Sequence, residues 1–275
     1  MKKFFLFLLC LLPLSAVVAQ VSLAPTAVYI DKNGIGTLYV TNNSETAQEI
    51  TINFQFGYST NDKNGVLVMV YDDSAKAKTH GLDKMVKAFP RTFNLPPKQQ
   101  QLVRLQVRAP KDLPDGTYFT RLKVGSSGQV TDVGSSSGAP EAISTLVNVR
   151  FEQVIVAFFK KGNVSTGINI DKVDAKVDSN FMKLAVDYRT LGNSPYLGKV
   201  KYSLRGPDGN LLLDASQTIA MYFSGTRVSA FQLTEKPKPG RYVLEIKYET
   251  QRTDIAAEDL IQAPPYVYKT NIQLP

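Results

Sequence analysis

Apolar and polar residues alternate with a period of two along most of this chain, and short turn sequences separate the alternating segments. In Gln101–Val107 the apolar residues Val103, Leu105 and Val107 share one face, which is typical of a half-buried strand. Turn sequences such as Asp31-Lys32-Asn33-Gly34 recur about every 8–12 residues, a spacing typical of antiparallel sandwiches. The pattern predicts an all-β fold of two immunoglobulin-like β-sandwiches in tandem.

The predicted strands fall into two groups that meet near residue 160. Further strands are predicted over residues 21–31, 36–42, 49–58, 66–71, 117–124, 168–177, 182–189, 198–205, 211–215, 228–233, 241–249 and 266–274. Residues 72–87 are polar and predict a short helix or a loop, and residues 125–138 are rich in Gly and Ser. The predicted domains are a sandwich over residues 20–160 and a second one over 161–275.

The longest strand-like segment is Ile143–Phe159, which contains no Gly or Pro. Val147, Val149 and Phe151 fall on one face of it, and residues 154–159 are apolar without alternation, which predicts burial on both faces. One interpretation is a long core strand of a sandwich. The other is a strand that presents alternate apolar side chains to a strand of another protein.

The first nineteen residues are predicted to be a signal peptide. Lys2 and Lys3 precede an apolar stretch, Phe4–Leu14, and Val17-Val18-Ala19 supplies small residues for cleavage before Gln20. No later segment is apolar enough to span a membrane, so the mature protein is predicted to be exported and periplasmic.

Composition narrows the chemistry of the mature chain. Its one cysteine, Cys10, lies in the signal peptide, so disulfides, thiolate metal sites and cysteine nucleophiles are not expected. The formal charge of +8 becomes +6 without Lys2 and Lys3, and the basic residues are scattered among acids. The sequence therefore does not predict nucleic-acid binding.

The sequence contains no motif for an enzyme, a metal ion or a cofactor. It has no glycine-rich phosphate loop before a helix and no zinc-binding spacing. The single histidine, His80, has no partner that spacing can assign, so we predict a solvated loop residue rather than a general base. The alternating tyrosines Tyr242, Tyr248, Tyr266 and Tyr268 predict sandwich core rather than a sugar-binding surface.

The first half of the chain resembles the N-terminal domain of the periplasmic pilus chaperones, the PapD-like family. The similar segments are VSLAPTAVYI followed by GTLYVTNNS, then FPRTFNLPPKQQQLVRLQV and LPDGTYFTRLKV. The resemblance covers about residues 21–160, and Ile143–Phe159 takes the place of the last strand of the family's N-terminal domain. The segment around residues 59–87 is not typical of the family.

The resemblance implies a chaperone that lends a β-strand to a pilus or fibre subunit that lacks its own last strand. Aligning the Phe-Phe-Lys ending of the long strand with the family implies that Val147, Val149 and Phe151 enter the subunit. An outer-membrane usher is a further implied partner. The alternative is a structural or adhesive cell-surface protein without chaperone activity, and a third hypothesis is an enzyme with a shallow polysaccharide site.

One feature that the resemblance implies does not match the sequence. The family holds the terminal carboxylate of its subunit with an Arg and a Lys, and the alignment places Ala27 and Val156 at those positions. Arg150, Lys160 or Lys161 are candidate substitutes, and Arg150 and Lys160 are included among the predicted partner-binding residues.

Overall fold

The computed structural model describes residues 20–62, 64–128 and 149–274 of the chain. Within these ranges the chain forms eighteen β-strands and one α-helix of seven residues. Nearly all the strands pair antiparallel, and they build two sandwiches, so the predicted fold class is confirmed. The boundary at residue 160 itself stays a prediction.

The first sandwich is built from the elements before residue 162. These are β1 (Val21–Ala24), β2 (Ala27–Ile30), β3 (Ile35–Asn42), β4 (Gln48–Gln55), β5 (Tyr58–Asn61), β6 (Leu67–Val70), α1 (Ser74–His80), β7 (Val86–Phe89), β8 (Thr92–Leu95), β9 (Gln100–Val107), β10 (Gly116–Gly128) and β11 (Arg150–Lys161). A sheet in the order β1-β3-β9-β7 packs on a sheet in the order β2-β11-β10-β4-β8. The core lies between them, where Val103 and Leu105 of β9 and Leu122 of β10 are fully buried.

The first strand segment changes from one sheet to the other at Pro25. Before it, β1 pairs with β3, and after it β2 pairs in parallel with β11, with Ala27 opposite Val156. Proline has no N–H to donate to a ladder, which makes it a natural point for a strand to leave its partner. The segment predicted as one strand over residues 21–31 is thus divided at Pro25 into β1 and β2.

The second sandwich follows from residue 166 to residue 274. Its strands are β12 (Thr166–Asp178), β13 (Phe181–Gly192), β14 (Tyr196–Arg205), β15 (Leu211–Met221), β16 (Gly225–Gln232), β17 (Gly240–Glu249) and β18 (Tyr266–Leu274). The sheets run in the orders β12-β13-β16 and β15-β14-β17-β18. Tyr242 and Tyr248 are buried in the core and Tyr266 and Tyr268 pack against it, as predicted.

An aromatic cluster joins the two sandwiches. Phe119 of β10 is fully buried, and its ring centroid lies 4.7 Å from that of Tyr222, which follows β15. Phe158 of β11 stacks on the same Tyr222 ring at 6.2 Å. Because these side chains exclude water from the contact, the cluster couples the position of β11 to that of the second sandwich.

The segment around residues 59–87 also contacts both sandwiches. Tyr58 of β5 packs edge-to-face on Phe223 at 4.7 Å, and the Lys76 ammonium of α1 lies 4.3 Å from the centroid of the same ring. Gly65, in the turn between β5 and β6, lies so close to Val228 of β16 that a Cβ there would come within 2.7 Å of the Val228 Cβ. The β5–β6 hairpin and α1 therefore brace the second sandwich from outside.

The prediction for the long strand can be compared with the structure from Val149 onward. β11 runs over Arg150–Lys161, two residues past the predicted end at Phe159, and predicted residues 143–148 lie outside the described residues. The predicted burial of residues 154–159 on both faces is wrong at Val154, which is 42% exposed. The outer face is covered from Val156, which packs against the aromatic cluster that contains Tyr222, so burial on both faces begins at Val156 and Ala157.

Candidate functional site

Among the described residues, one backbone edge of β11 is free over part of its length. On one side, β10 pairs with it along its whole length, from Arg150 to Lys161. On the other side, β2 pairs only with Val156–Phe159. In the described part of the chain, no strand pairs with this edge over Arg150–Ile155, so unpaired N–H and C=O groups are presented there.

Apolar side chains accompany this free edge. Val149 is 52% exposed and Phe151 is 49% exposed. Phe151 shares its face of β11 with Ile155 and Ala157, which pack in the core of the first sandwich. The face that is core further along the strand therefore continues past the end of the core into solvent. Val147, the third predicted donor residue, lies outside the described residues.

The ammonium groups of Lys160 and Lys161 are held by carbonyl oxygens of the chain itself. The Lys160 ammonium donates to the carbonyl oxygens of Glu258 and Asp259 at 2.8 and 3.2 Å, and that of Lys161 donates to Leu113 O at 2.6 Å. The Arg150 guanidinium lies over Gly125, where a Cβ would approach its Nη2 within 2.8 Å. The structure thus does not bring Lys160, Lys161 and Arg150 together at one point.

Ala27 and Val156, where the resemblance implies an Arg and a Lys, are neighbours in the sheet. Ala27 lies opposite Val156, and on the other side of β11 Val156 lies opposite Arg121 of β10. Directly opposed residues project to the same face, so Arg121 is a cation in this row. Its Nε donates to Gly57 O at 3.0 Å, and its Nη2 donates to the Tyr222 hydroxyl at 3.2 Å.

Sequence reasoning did not identify Arg121 as a candidate. The alternation of TYFTRLKV places Phe119 and Arg121 on one face, and this shared face can be predicted from the sequence alone. The pairing of β10 with β11 was not available from that alternation, because it depends on the register between strands that are distant in sequence.

His80 is not the solvated loop residue that the sequence predicted. It ends α1, and its ring packs edge-to-face on Phe223 at 5.1 Å and lies 6.4 Å from the Phe119 ring. Burial lowers the pKa of His80 below its usual value of 6.5, and the nearby Lys76 charge acts in the same direction. His80 is therefore part of the contact between the sandwiches.

Because of this lowered pKa, we expect the free energy of unfolding to fall as the pH is lowered through 6.5, the usual pKa of histidine. The unfolded chain binds the His80 proton more readily than the folded one, so this contribution is complete above the unfolded pKa and is lost toward the folded pKa. Urea titrations at several pH values measure it. The variant His80→Gln should show a flatter pH dependence, and equal slopes for the two proteins would contradict this role of His80.

Two further searches concern other kinds of site. Among the described residues, no group of three or more His, Cys, Asp or Glu side chains is arranged to hold a metal ion. No helix in the same residues is long and apolar enough to cross a membrane.

The comparisons with known proteins give similar structures only. The sequence matches no protein-family model and no curated protein sequence. The structure is similar to that of the YadV chaperone, with a TM-score of 0.46 and 13% identity over 93% of this chain and 100% of that one. It is also similar to a structure of the Salmonella enterica SafA pilin in complex with the SafB chaperone, with a TM-score of 0.41 and 14% identity over 91% and 96% of the two chains.

A third similar structure is the CsuC-CsuE chaperone–tip subunit complex from Acinetobacter baumannii, with a TM-score of 0.41 and 9% identity over 91% and 98% of the two chains. All three structures contain a chaperone, and two of them also contain a pilin or tip subunit. At these TM-scores and identities, the similarity assigns neither a function nor site residues to this chain.

Proposed function

We propose that this protein is an exported chaperone that donates a β-strand to a subunit of a surface pilus or fibre. The observation that carries the proposal is the edge of β11 over Arg150–Ile155, which is unpaired in the described residues, together with the exposed side chains of Val149 and Phe151. A free strand edge with alternate apolar side chains is the arrangement that strand addition uses.

Donation of β11 would provide hydrogen-bond partners for the unpaired backbone groups of both proteins. Backbone groups of β11 would pair with an edge strand of the subunit, and Val147, Val149 and Phe151 would enter the groove that its missing strand leaves open. Burying an exposed Val or Phe side chain is worth about 1.5–3 kcal/mol. The backbone pairing therefore supplies the register, and the alternating side chains supply most of the favourable free energy.

Arg121 is the cation best placed to receive a terminal carboxylate of the subunit. It lies in the row of Ala27 and Val156, where the resemblance implies such a contact, and it already binds Gly57 O and the Tyr222 hydroxyl. Arg150 and Lys160 stay candidates for partner binding. A partner's carboxylate at Lys160 would compete with the carbonyl oxygens of Glu258 and Asp259.

The remaining parts of the proposal concern the setting of the protein. It acts in the periplasm after removal of residues 1–19, it is not an enzyme, and it carries no cofactor. An outer-membrane usher receives the chaperone–subunit complex. The chain divides into domains at residue 160, so that β11 is the last strand of the first domain and leads directly into the second.

The test is an aggregation assay with a fibre subunit from the native host that lacks its last strand. The subunit is diluted from urea with and without an equimolar amount of this protein, and light scattering and size-exclusion chromatography follow its state. We expect suppressed aggregation and a one-to-one complex. A subunit with the missing strand fused to its end is the control and should not bind.

Two results would contradict the proposal. One is equal aggregation of the subunit in the presence and absence of this protein. The other is equal binding of the subunit and its strand-fused control. Stable incorporation of this protein into isolated surface fibres would instead support the structural or adhesive alternative.

A further inference from the structure

A cleft lies between the β5–β6 hairpin and the second sandwich. Its volume is about 530 Å³. Ser59 and Asn61 of β5 form one wall, and residues 217–220 of β15 and 227–230 of β16 form the other. The contact of Gly65 with Val228 closes one part of it. The cleft thus exists because the hairpin spans the gap between the edges of two sheets.

The charged side chains that line this cleft are all positive. Its lining includes Arg227 and Arg252, together with neutral polar residues and no Asp or Glu. The Arg252 guanidinium is already held by the Asp254 carboxylate and by Ile219 O. Arg227 has no carboxylate partner within ion-pair distance among the described residues, so it is the cation in this cleft whose charge is not compensated by a direct contact.

Arg227 is held in the cleft by a hydrogen bond that leaves its charge uncompensated. Its Nη2 donates to Gln217 Oε1 at 3.0 Å, and Ser229 Oγ donates to the same oxygen at 3.3 Å. Its Nε is buried and has no hydrogen-bond partner in the described residues. A guanidinium forms its strongest hydrogen bonds with an anionic oxygen, and a carboxylate can accept two of them. The uncompensated charge of Arg227 in the cleft lining therefore favours a ligand that carries a carboxylate.

The walls of the cleft also present strand edges. β15 and β16 are the edge strands of their two sheets, and β5 pairs only with β6 in the described residues. Four residues of β15 and four of β16 line the cleft, which at about 3.3 Å per residue corresponds to roughly 13 Å of extended chain. Leu67, Ile219 and Val228 add apolar surface between the polar groups. An extended segment of about four residues fits these dimensions.

We propose that this cleft binds an extended acidic peptide segment, with a carboxylate at the guanidinium of Arg227 and the peptide backbone along the edge of β15 or β16. The site is separate from the free edge of β11 and does not depend on strand donation. A bare anion would use the guanidinium but leave the strand edges and the apolar wall without a partner. The size and mixed lining of the cleft therefore favour a peptide.

The test uses a fluorescein-labelled peptide with the sequence Val-Glu-Val-Glu-Val, blocked at both ends, and fluorescence anisotropy in a buffer without phosphate. The matched peptide has Gln in place of both Glu residues. A charge-assisted hydrogen bond is worth about 1.5–3 kcal/mol, so Arg227→Gln should weaken binding of the acidic peptide roughly 10- to 100-fold. Arg241→Gln, an exposed arginine outside the cleft, should leave it within about twofold.

A second variant tests the same cleft in case Arg227→Gln does not fold. Ser59→Glu places a carboxylate in the cleft from the hairpin side and leaves the second sandwich unchanged, and it should also abolish binding of the acidic peptide. Phe151→Glu should have no effect, which separates this site from β11. The proposal is overturned if the Gln peptide binds equally well, if Ser59→Glu has no effect, or if inorganic phosphate binds as tightly as the acidic peptide.

Discussion

Replacing Phe151 by glutamate is expected to weaken binding of a strand-deficient fibre subunit by roughly 100-fold or more. The substitution removes an aromatic side chain that would be buried in the subunit, a loss of about 3–5 kcal/mol for Phe→Ala, and adds a carboxylate that the apolar groove cannot solvate. Isothermal titration calorimetry or surface plasmon resonance with the purified subunit measures the change. The fold should persist, because the Phe151 side chain is 49% exposed in the free protein.

Val154 provides the matched control for this experiment. It lies on the same strand, is 42% exposed, and projects from the opposite face of β11. Val154→Glu therefore adds the same charge to the same free edge without placing it among the donated side chains, and we expect a loss of less than about tenfold. Equal losses for the two variants would show that binding does not depend on the face that carries Phe151.

Replacing Phe119 by alanine is expected to reduce the free energy of unfolding by about 4 kcal/mol, the range found for Phe→Ala in well-packed cores. Phe119 is fully buried, and its ring packs with Phe56, Tyr222 and Phe158 at 5.3, 4.7 and 6.2 Å. The cavity would open where the two sandwiches meet, so we also expect the sandwiches to unfold in separate steps.

Urea denaturation followed by circular dichroism and by tyrosine fluorescence measures both effects of Phe119→Ala. Phe89→Ala is the control, because Phe89 is 50% exposed at the end of β7 and its truncation should change stability by less than about 0.5 kcal/mol. A similar small change for Phe119→Ala would mean that the aromatic cluster contributes little to holding the sandwiches together.

Local alternation was sufficient to predict most strands and their inward faces. In β9, Val103, Leu105 and Val107 are buried as the period of two predicts, while Leu102 and Arg104 are exposed. The same rule placed Val149 and Phe151 on one face of the long strand. It succeeds because burial of one sheet face imposes a period of two on the sequence, whatever the topology.

Other features depend on contacts between distant segments, and alternation could not predict them. The exposure of Val154 depends on where the second sandwich stops covering β11. The packing of His80 on Phe223 depends on the path of the segment after β4, which carries too little periodicity to define it. Arg121 became a candidate only when the register placed it opposite Val156.

The most direct test of strand donation is amide hydrogen exchange along β11, measured by mass spectrometry on the free protein and on its complex with a strand-deficient subunit. If β11 donates its strand, amides of Arg150–Ile155 at the unpaired edge should exchange rapidly in the free protein and become protected in the complex. The paired residues Val156–Phe159 should be protected in both states. Unchanged exchange at Arg150–Ile155 in a complex that has formed would contradict strand donation by β11.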